Sequence, residues 1–580
     1  MKAIENLKLR LQEHLTLIYK DSSTAEVAER LIKAMGYVDG LSDPVQQRNK
    51  WDESDVMVIT YGDSIRSQGE KPLHTLQIFF REHLKSCINW VHILPFYPYT
   101  SDDGFAVSNY DAVNPQLGNW NDVRLIAEDF QLMVDMVINH CSASHPWFEA
   151  YRRNELPYSG YFSEASPYDD LSMVVRPRTS PLLQAVKRED GMKHVWCTFS
   201  HDQVDLNFAN PDVLVEVAKM LRLYMDQGAT IFRLDAIAFL WKEIGTSCMS
   251  LPQTHEIIRL LRTLAEYKHP DAIMITETNI PNRENLSYFG NANEAHLIYN
   301  FSFPPLMLHA MLTGNSRYLK QWMMSMPPAQ SGTTYLNFIA SHDGIGLRPA
   351  EGLLSDEEIN QVADAMRAFG GLISSRTVNA VQSRPYELNI ALYDAMKGTL
   401  NGEDECQFER FICAHAIMLA LEGVPAFYLH SLVATCNDTE KVTETGSNRA
   451  INRHSWDADQ LEAYLSDQGS HHSRVFEVLK KLIALRAKQP AFHPNATQFT
   501  LHLGEEVFAF WRQSIGREQS IFAINNITAS EQVIPLSSIN LIVTDKWQDL
   551  ITGEIFDEHH GDLLLKPYQT VWISNRNETE

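Results

Sequence analysis

Eight short apolar runs, most of them followed by a helical stretch, constrain this chain more than any other feature. They lie at 56–60, 91–94, 132–138, 230–234, 273–276, 297–299, 335–339 and 424–428. Near-continuous apolar strands alternating with helices, such as those at 211–227 and 255–267, predict a parallel sheet covered on both faces. Eight such units predict a (β/α)8 TIM barrel, an α/β fold whose functional side chains gather at the C-terminal ends of the strands. The interval after the third strand, about 141–228, is too long for a plain connection and predicts an inserted subdomain over the barrel mouth. A second loop insertion is expected at about 344–404. Around this barrel, spanning 51–490, the chain places a helical extension at 1–50, where Leu7, Leu11, Leu15 and Ile18 form one apolar face. From 491 to 580, alternating runs such as 507–511 and 520–524 predict a small antiparallel β domain.

Charge and composition exclude several classes of partner. With 73 acidic against 49 basic residues the net charge is −24, which argues against nucleic acid and anionic membranes. No apolar run approaches the ~18 residues needed to span a bilayer, and residues 1–7 carry no signal-like apolar core. The seven cysteines are scattered without a CxxC spacing, so neither a zinc site nor a redox pair is expected. A cytoplasmic location with reduced thiols is the expectation.

Polar residues stand at the ends of four of the eight strands. The third run leads into Asn139-His140, the fourth ends in Arg233 and Asp235, the fifth in Glu277 and the seventh in His342-Asp343. Side chains two apart on a strand point to one side, so Arg233 and Asp235 belong together. A pair of carboxylic residues at one barrel mouth suits glycosyl transfer, one attacking the anomeric carbon and the other protonating the leaving oxygen. Arg233 is expected to keep Asp235 ionised by opposite charge, and Glu277 to have a raised pKa.

Residues 135–140, 232–235, 275–278 and 340–343 resemble the four ordered motifs of the α-amylase superfamily (glycoside hydrolase family 13), and 203–207 its accessory motif. The stretches 94–98, 101–105, 245–248 and 448–453 narrow the resemblance to the sucrose-phosphorylase subfamily, over about residues 51–490. The resemblance implies that Asp235 is the nucleophile, Glu277 the general acid/base and Asp343 the third carboxylate holding sugar hydroxyls. It implies glucose contacts from Asp102, His140, Phe199, Arg233, His342 and Arg453, and phosphate contacts from Arg178 and Tyr386. It further implies a retaining mechanism with inorganic phosphate as co-substrate, no other cofactor or metal, and a homodimer.

The acceptor end departs from the sucrose pattern. Residues 384–387 read Arg-Pro-Tyr-Glu where the subfamily has Asp-Leu-Tyr-Gln, Phe239 stands where a tyrosine is usual, and Asn279 where a histidine is usual. These changes remove partners for fructose hydroxyls, which a site built for hydroxyls misses strongly. The run 239–243 and the N-terminal extension look more like phosphorylases of glucosylglycerate or glucosylglycerol. Arg384 would meet a glycerate carboxylate and Glu387 would oppose one, so charge leaves both acceptors open. Sucrose phosphorylase is the nearest alternative, followed by an α-glucoside hydrolase or transglucosidase. A catalytically silent amylase-like subunit would have lost carboxylates that this chain keeps.

Overall fold

The computed structural model describes residues 2–20, 24–37, 41–45, 47–178, 180–377, 383–539, 541, 546–556 and 561–575. All eight apolar runs become barrel strands: β1 (Met57–Thr60), β2 (Trp90–Ile93), β3 (Gln131–Met136), β4 (Ala229–Leu234), β5 (Ile273–Thr276), β6 (Leu297–Tyr299), β7 (Thr334–Asn337) and β8 (Val424–Tyr428). They close in sequence order, and every neighbouring pair is parallel. Two strands stop short of their apolar runs. Val137-Ile138 and Phe338-Ile339 are buried but lie beyond the ladder, and they carry Asn139-His140 and His342-Asp343 over the barrel mouth.

Register places charge inside the barrel. Asp135 on β3 pairs across the ladder with Arg233 on β4, and Arg233 lies beside Ile275 on β5. Both charged groups are buried, a placement tolerated only with a partner.

The long connections fold into small structures of their own. After β3 comes a short ladder of His140–Ser142 with Gln203–Asp205, and a hairpin of Leu183–Arg188 with Gly191–Trp196. After β7, the strands Ile345–Gly346, Leu372–Thr377 and Ser383–Asn389 form an antiparallel sheet beside the helix Asp356–Ala368.

Two N-terminal helices, α1 (Lys2–Ile18) and α2 (Thr24–Met35), pack on the outside of the barrel. The apolar stripe Leu7, Leu11, Leu15, Ile18 is buried. His14 bonds Glu256 at 2.5 Å and Thr263 at 3.1 Å on the helix Pro252–Lys268. Arg30 on α2 reaches Asp212 at 2.5 Å on the helix Pro211–Asp226. The C-terminal unit contains a six-stranded sheet with its own apolar core around Phe522, Trp547 and Leu565. Among the described residues no helix is long and apolar enough to cross a membrane.

Candidate active site

The fourth and fifth strands deliver the two acidic residues from adjacent positions. The Asp235 amide donates to Met136 O on β3 and the Glu277 amide to Leu234 O on β4, so neighbouring strands fix both backbones. Ala236 follows the aspartate in the left-handed conformation, φ 48° and ψ 31°, at a cost of about 1–2 kcal/mol for a residue with a Cβ. That turn aims its N–H at Glu277 Oε2, 3.0 Å away, which leaves Oε1 as the oxygen free to carry a proton.

Arg233 is the hub beneath them. Its Nη1 donates to Asp235 Oδ1 at 2.7 Å and also to Asp135, and its Nη2 lies 3.9 Å from Glu277 Oε2. The guanidinium carbon sits 5.7 Å from the ring centres of both Phe105 and Tyr299, within cation–π range. Asp135 is further held by His92 Nε2 at 2.7 Å. Against its burial, Arg233 and His92 keep the Asp135 carboxyl below its ordinary value.

For Asp235 and Glu277 burial is the larger effect. It raises Asp235 well above the carboxylate range, with Arg233 opposing and Glu277 and Asp135 adding to the rise. Burial also raises Glu277, again opposed by Arg233 and the Ala236 amide. Desolvation therefore outweighs the opposite-charge effect that the sequence assigned to Arg233 as dominant. Of the two carboxyls Asp235 has the closer cation, 2.7 Å from Arg233 against 3.9 Å for Glu277, which favours the charged form of Asp235.

Asp343 is treated in the opposite way. Burial disfavours its charge, but Arg449 and Arg453 hold it far below the ordinary range. Arg449 Nη1 lies 2.7 Å from its Oδ1, Arg453 Nη2 3.3 Å and His342 Nε2 3.4 Å. His342 is stacked on Phe105 at 5.4 Å, and burial lowers its pKa to about 3, so it is a neutral imidazole. His140, also lowered by burial, bonds the Phe105 carbonyl at 2.9 Å.

Of these groups Phe105, His140, Arg233, Asp235, Glu277, His342, Asp343 and Arg449 line one cleft, together with Asp102, Arg178, Phe199, Phe239, Asn279, Arg348, Tyr386 and Glu387. Asp102 reaches it from a strained turn in which Asp102 and Asp103 both have positive φ, 55° and 47°. At the next residue, Gly104, a Cβ would meet Pro95 O at 2.5 Å. Phe199 stands edge-on to Phe239 at 5.6 Å. Residues 84–345 match the family model described as "Alpha amylase, catalytic domain". Glucosylglycerate phosphorylase of Allomeiothermus silvanus is 41% identical over 98% of this chain and 98% of its own length. Glucosylglycerate phosphorylase of Escherichia coli is 38% identical over 98% of this chain and 100% of its own. The chain belongs to the glucoside phosphorylases of the α-amylase superfamily. In fold it also resembles the crystal structure of sucrose 6F-phosphate phosphorylase from Thermoanaerobacter thermosaccharolyticum, with a TM-score of 0.71 and 24% identity, covering 82% of this chain and 94% of that one.

Two features of this phosphorylase depart from the residue-level expectations. Arg384 does not line the cleft: its guanidinium bonds Asp356 at 2.8 Å, with 42% of the side chain exposed. Proline at 385 and the antiparallel pairing of Arg384 with Arg376 hold it on the outer part of the inserted sheet. Arg453 sits behind Asp343, tied to Asp103 and to the His342 carbonyl, and Arg449 faces the cleft instead. Arg449 also grips Glu387 with two bonds of 2.9 and 2.6 Å, which answers the charge of a carboxylate expected to repel an acidic acceptor.

Sequence reasoning missed three further side chains. Arg449 lay within the quoted 448–453 motif, four residues from the arginine chosen. Arg348 follows the His342-Asp343 motif by five residues, with no periodic signal to mark it. Lys242 is half-buried beside the cleft, and its ammonium bonds Asn139 Oδ1 at 2.9 Å, Asp205 Oδ2 at 2.7 Å and the Phe239 carbonyl. Its sole sequence signal was its place in the 239–243 run.

Proposed function

We propose that this enzyme is a retaining α-glucoside phosphorylase whose substrate is glucosylglycerate. One observation carries the choice of substrate. Arg233, Arg449 and Arg453 are each committed to a carboxylate of the site. Arg178 and Arg348 also line the cleft, but among the described residues they have neither an ion pair nor a side-chain hydrogen bond. A cleft with two uncommitted guanidinium groups suits a reaction with two anionic participants, phosphate and an acidic aglycone. The names of the two relatives support the same substrate.

In the first half-reaction Asp235 attacks the anomeric carbon while Glu277 Oε1 gives its proton to the departing glycerate oxygen. The C–O bond to the aglycone breaks as a β-glucosyl ester on Asp235 forms. Asp343, fully charged and fixed by Arg449, accepts hydrogen bonds from sugar hydroxyls. Once the aglycone has left, Glu277 is a carboxylate and accepts the proton of hydrogen phosphate as a phosphate oxygen attacks the same carbon. The products are α-glucose 1-phosphate and the restored Asp235 carboxylate. Arg178 meets the phosphate charge, and the Tyr386 hydroxyl, kept neutral by burial, donates to it.

The test is to incubate the enzyme with phosphate and each of glucosylglycerate, glucosylglycerol and sucrose, assaying α-glucose 1-phosphate. Turnover highest on glucosylglycerate and dependent on phosphate is expected. Phosphate-independent turnover would favour a hydrolase or transglucosidase, and sucrose as the best donor would overturn the substrate. Asp235→Asn should reduce turnover by at least about 10⁴-fold, as loss of a nucleophile does.

A further inference from the structure

The cleft contains one cation whose position the sequence did not signal and which the reaction above does not use. Arg348 begins the short turn Arg348–Ala350, and the backbone around it is pinned from two sides. The Leu347 amide donates to the Tyr386 carbonyl at 2.9 Å. The preceding strand Ile345–Gly346 pairs with Leu388 and Glu387, and Ser302 Oγ donates to the Pro349 carbonyl at 3.2 Å. Proline at 349 fixes its own φ and limits Arg348 to extended or turn backbone. Arg348 is thus mounted on a rigid edge of backbone next to the strand that carries Tyr386 and Glu387, and it lines the cleft with them.

The carboxylates around Arg348 are already taken. Glu387 is held by both arms of Arg449, and Glu351, three residues along, pairs with Arg376 at 2.6 Å. Asp343 is satisfied by Arg449 and Arg453. A half-buried arginine with no counter-charge among the described residues has the planar fork that receives a carboxylate in two parallel bonds.

We propose that Arg348 is the specificity-determining residue of this enzyme, selecting glucosides whose small aglycone carries a carboxylate. The inference rests on the phosphorylase reading and assigns its substrate preference to one side chain. Arg178, from the other insertion, is left to phosphate. A neutral aglycone of the same size leaves the Arg348 charge unmatched, and such a mismatch discriminates strongly.

The experiment measures donor kcat/KM for glucosylglycerate and for glucosylglycerol in the wild type, Arg348→Gln and Arg348→Lys. In a double displacement the donor kcat/KM reports the first half-reaction alone, so it is independent of phosphate binding. The expected result is that the glucosylglycerate-to-glucosylglycerol ratio falls about 10–100-fold in Arg348→Gln. It should fall less in Arg348→Lys, which keeps the charge and loses the fork. An unchanged ratio in Arg348→Gln, with both donors slowed equally, overturns the proposal as a merely structural effect. Calorimetric titration of wild type and variant with glycerate and with inorganic phosphate provides a second arm. Loss of glycerate binding supports the proposal, while loss confined to phosphate overturns it and makes Arg348 a second phosphate ligand. If the wild type releases no glucose 1-phosphate from either donor, the phosphorylase reading falls, and the glycerate titration still decides the role of Arg348.

Discussion

Arg449 connects Asp343 to Glu387 through one guanidinium. It bonds Asp343 at 2.7 Å and Glu387 at 2.9 and 2.6 Å, and Glu387 is only 3% exposed. Arg449→Met should therefore leave Glu387 as a buried carboxylate without its cation, a loss of roughly 3–5 kcal/mol of stability. Adding Glu387→Gln should restore most of that stability, because the orphaned charge is gone. It should not restore activity, since Asp343 would still lack its nearest cation. Calorimetric unfolding and phosphorolysis rates on the two single variants and the double variant would show this separation. Wild-type stability in Arg449→Met would refute it. The same residue marks the limit of sequence reading within the site. Residues at corresponding strand ends converge in the cleft: His140, Arg233, Asp235, Glu277, His342 and Asp343 all line it. Arg449 and Arg453 belong to one short motif, and only the turn Asn448–Asn452 decides which faces the cleft and which lies behind Asp343. Arg384 departed for a related reason: its direction depends on the register of its hairpin with 372–377 and on an ion pair with Asp356.

At the scale of elements, Lys242 braces three pieces of chain that carry cleft residues. Its ammonium joins Asn139, next to His140 at the end of β3, to Asp205 of the inserted ladder and to the Phe239 carbonyl after β4. Asp205 in turn accepts from the Thr198 amide at 2.9 Å and hydroxyl at 2.6 Å, immediately before Phe199. Lys242→Met should remove the cation from a fully buried Asp205 and cost roughly 3–5 kcal/mol. Because His140, Phe199 and Phe239 lose a common support, kcat/KM should fall as well. The double variant Lys242→Met with Asp205→Asn should regain stability. A Lys242→Met enzyme with an unchanged denaturation midpoint and rate would dispose of the brace. Such a tie is invisible in sequence because its three partners are separated by 103, 37 and 3 residues. The barrel strands were legible for the opposite reason, since burial on both faces writes each as a local apolar run. The hairpin at 183–196 and the sheet after β7 lacked that signature, for they are partly exposed and mixed in composition. The helix α1 was legible from its leucine spacing and α2 from its run of good helix formers.

Over the whole molecule, burial of neutral histidines sets the response to acid. Desolvation lowers His145 and His415 to about 4, and His342 and His430 to about 3, and all four are buried. An unfolded chain binds protons at these sites from about pH 6.5, whereas the folded chain does so only near 3–4. Each histidine therefore contributes fully above about pH 6.5, and its contribution drains away as pH falls toward the folded value. At pH 5 the loss is on the order of 2 kcal/mol for each histidine. The raised carboxyls of Asp235 and Glu277 act with the opposite sign, because folding favours their protonated forms and acid recovers a little stability there. The net charge of −24 also opposes the trend, since self-repulsion relaxes as acidic groups protonate. Salt separates the two effects: repulsion between exposed charges is screened, and the desolvation of buried imidazoles is not. In high salt, the urea midpoint should fall steadily from pH 7.5 to pH 5. His415, stacked flat on Phe427 at 5.4 Å, offers the control. His415→Gln should start less stable at pH 7.5 and lose less than the wild type on acidification. A flat wild-type midpoint across that range, or an equal slope in His415→Gln, would show that the buried histidines do not govern acid stability.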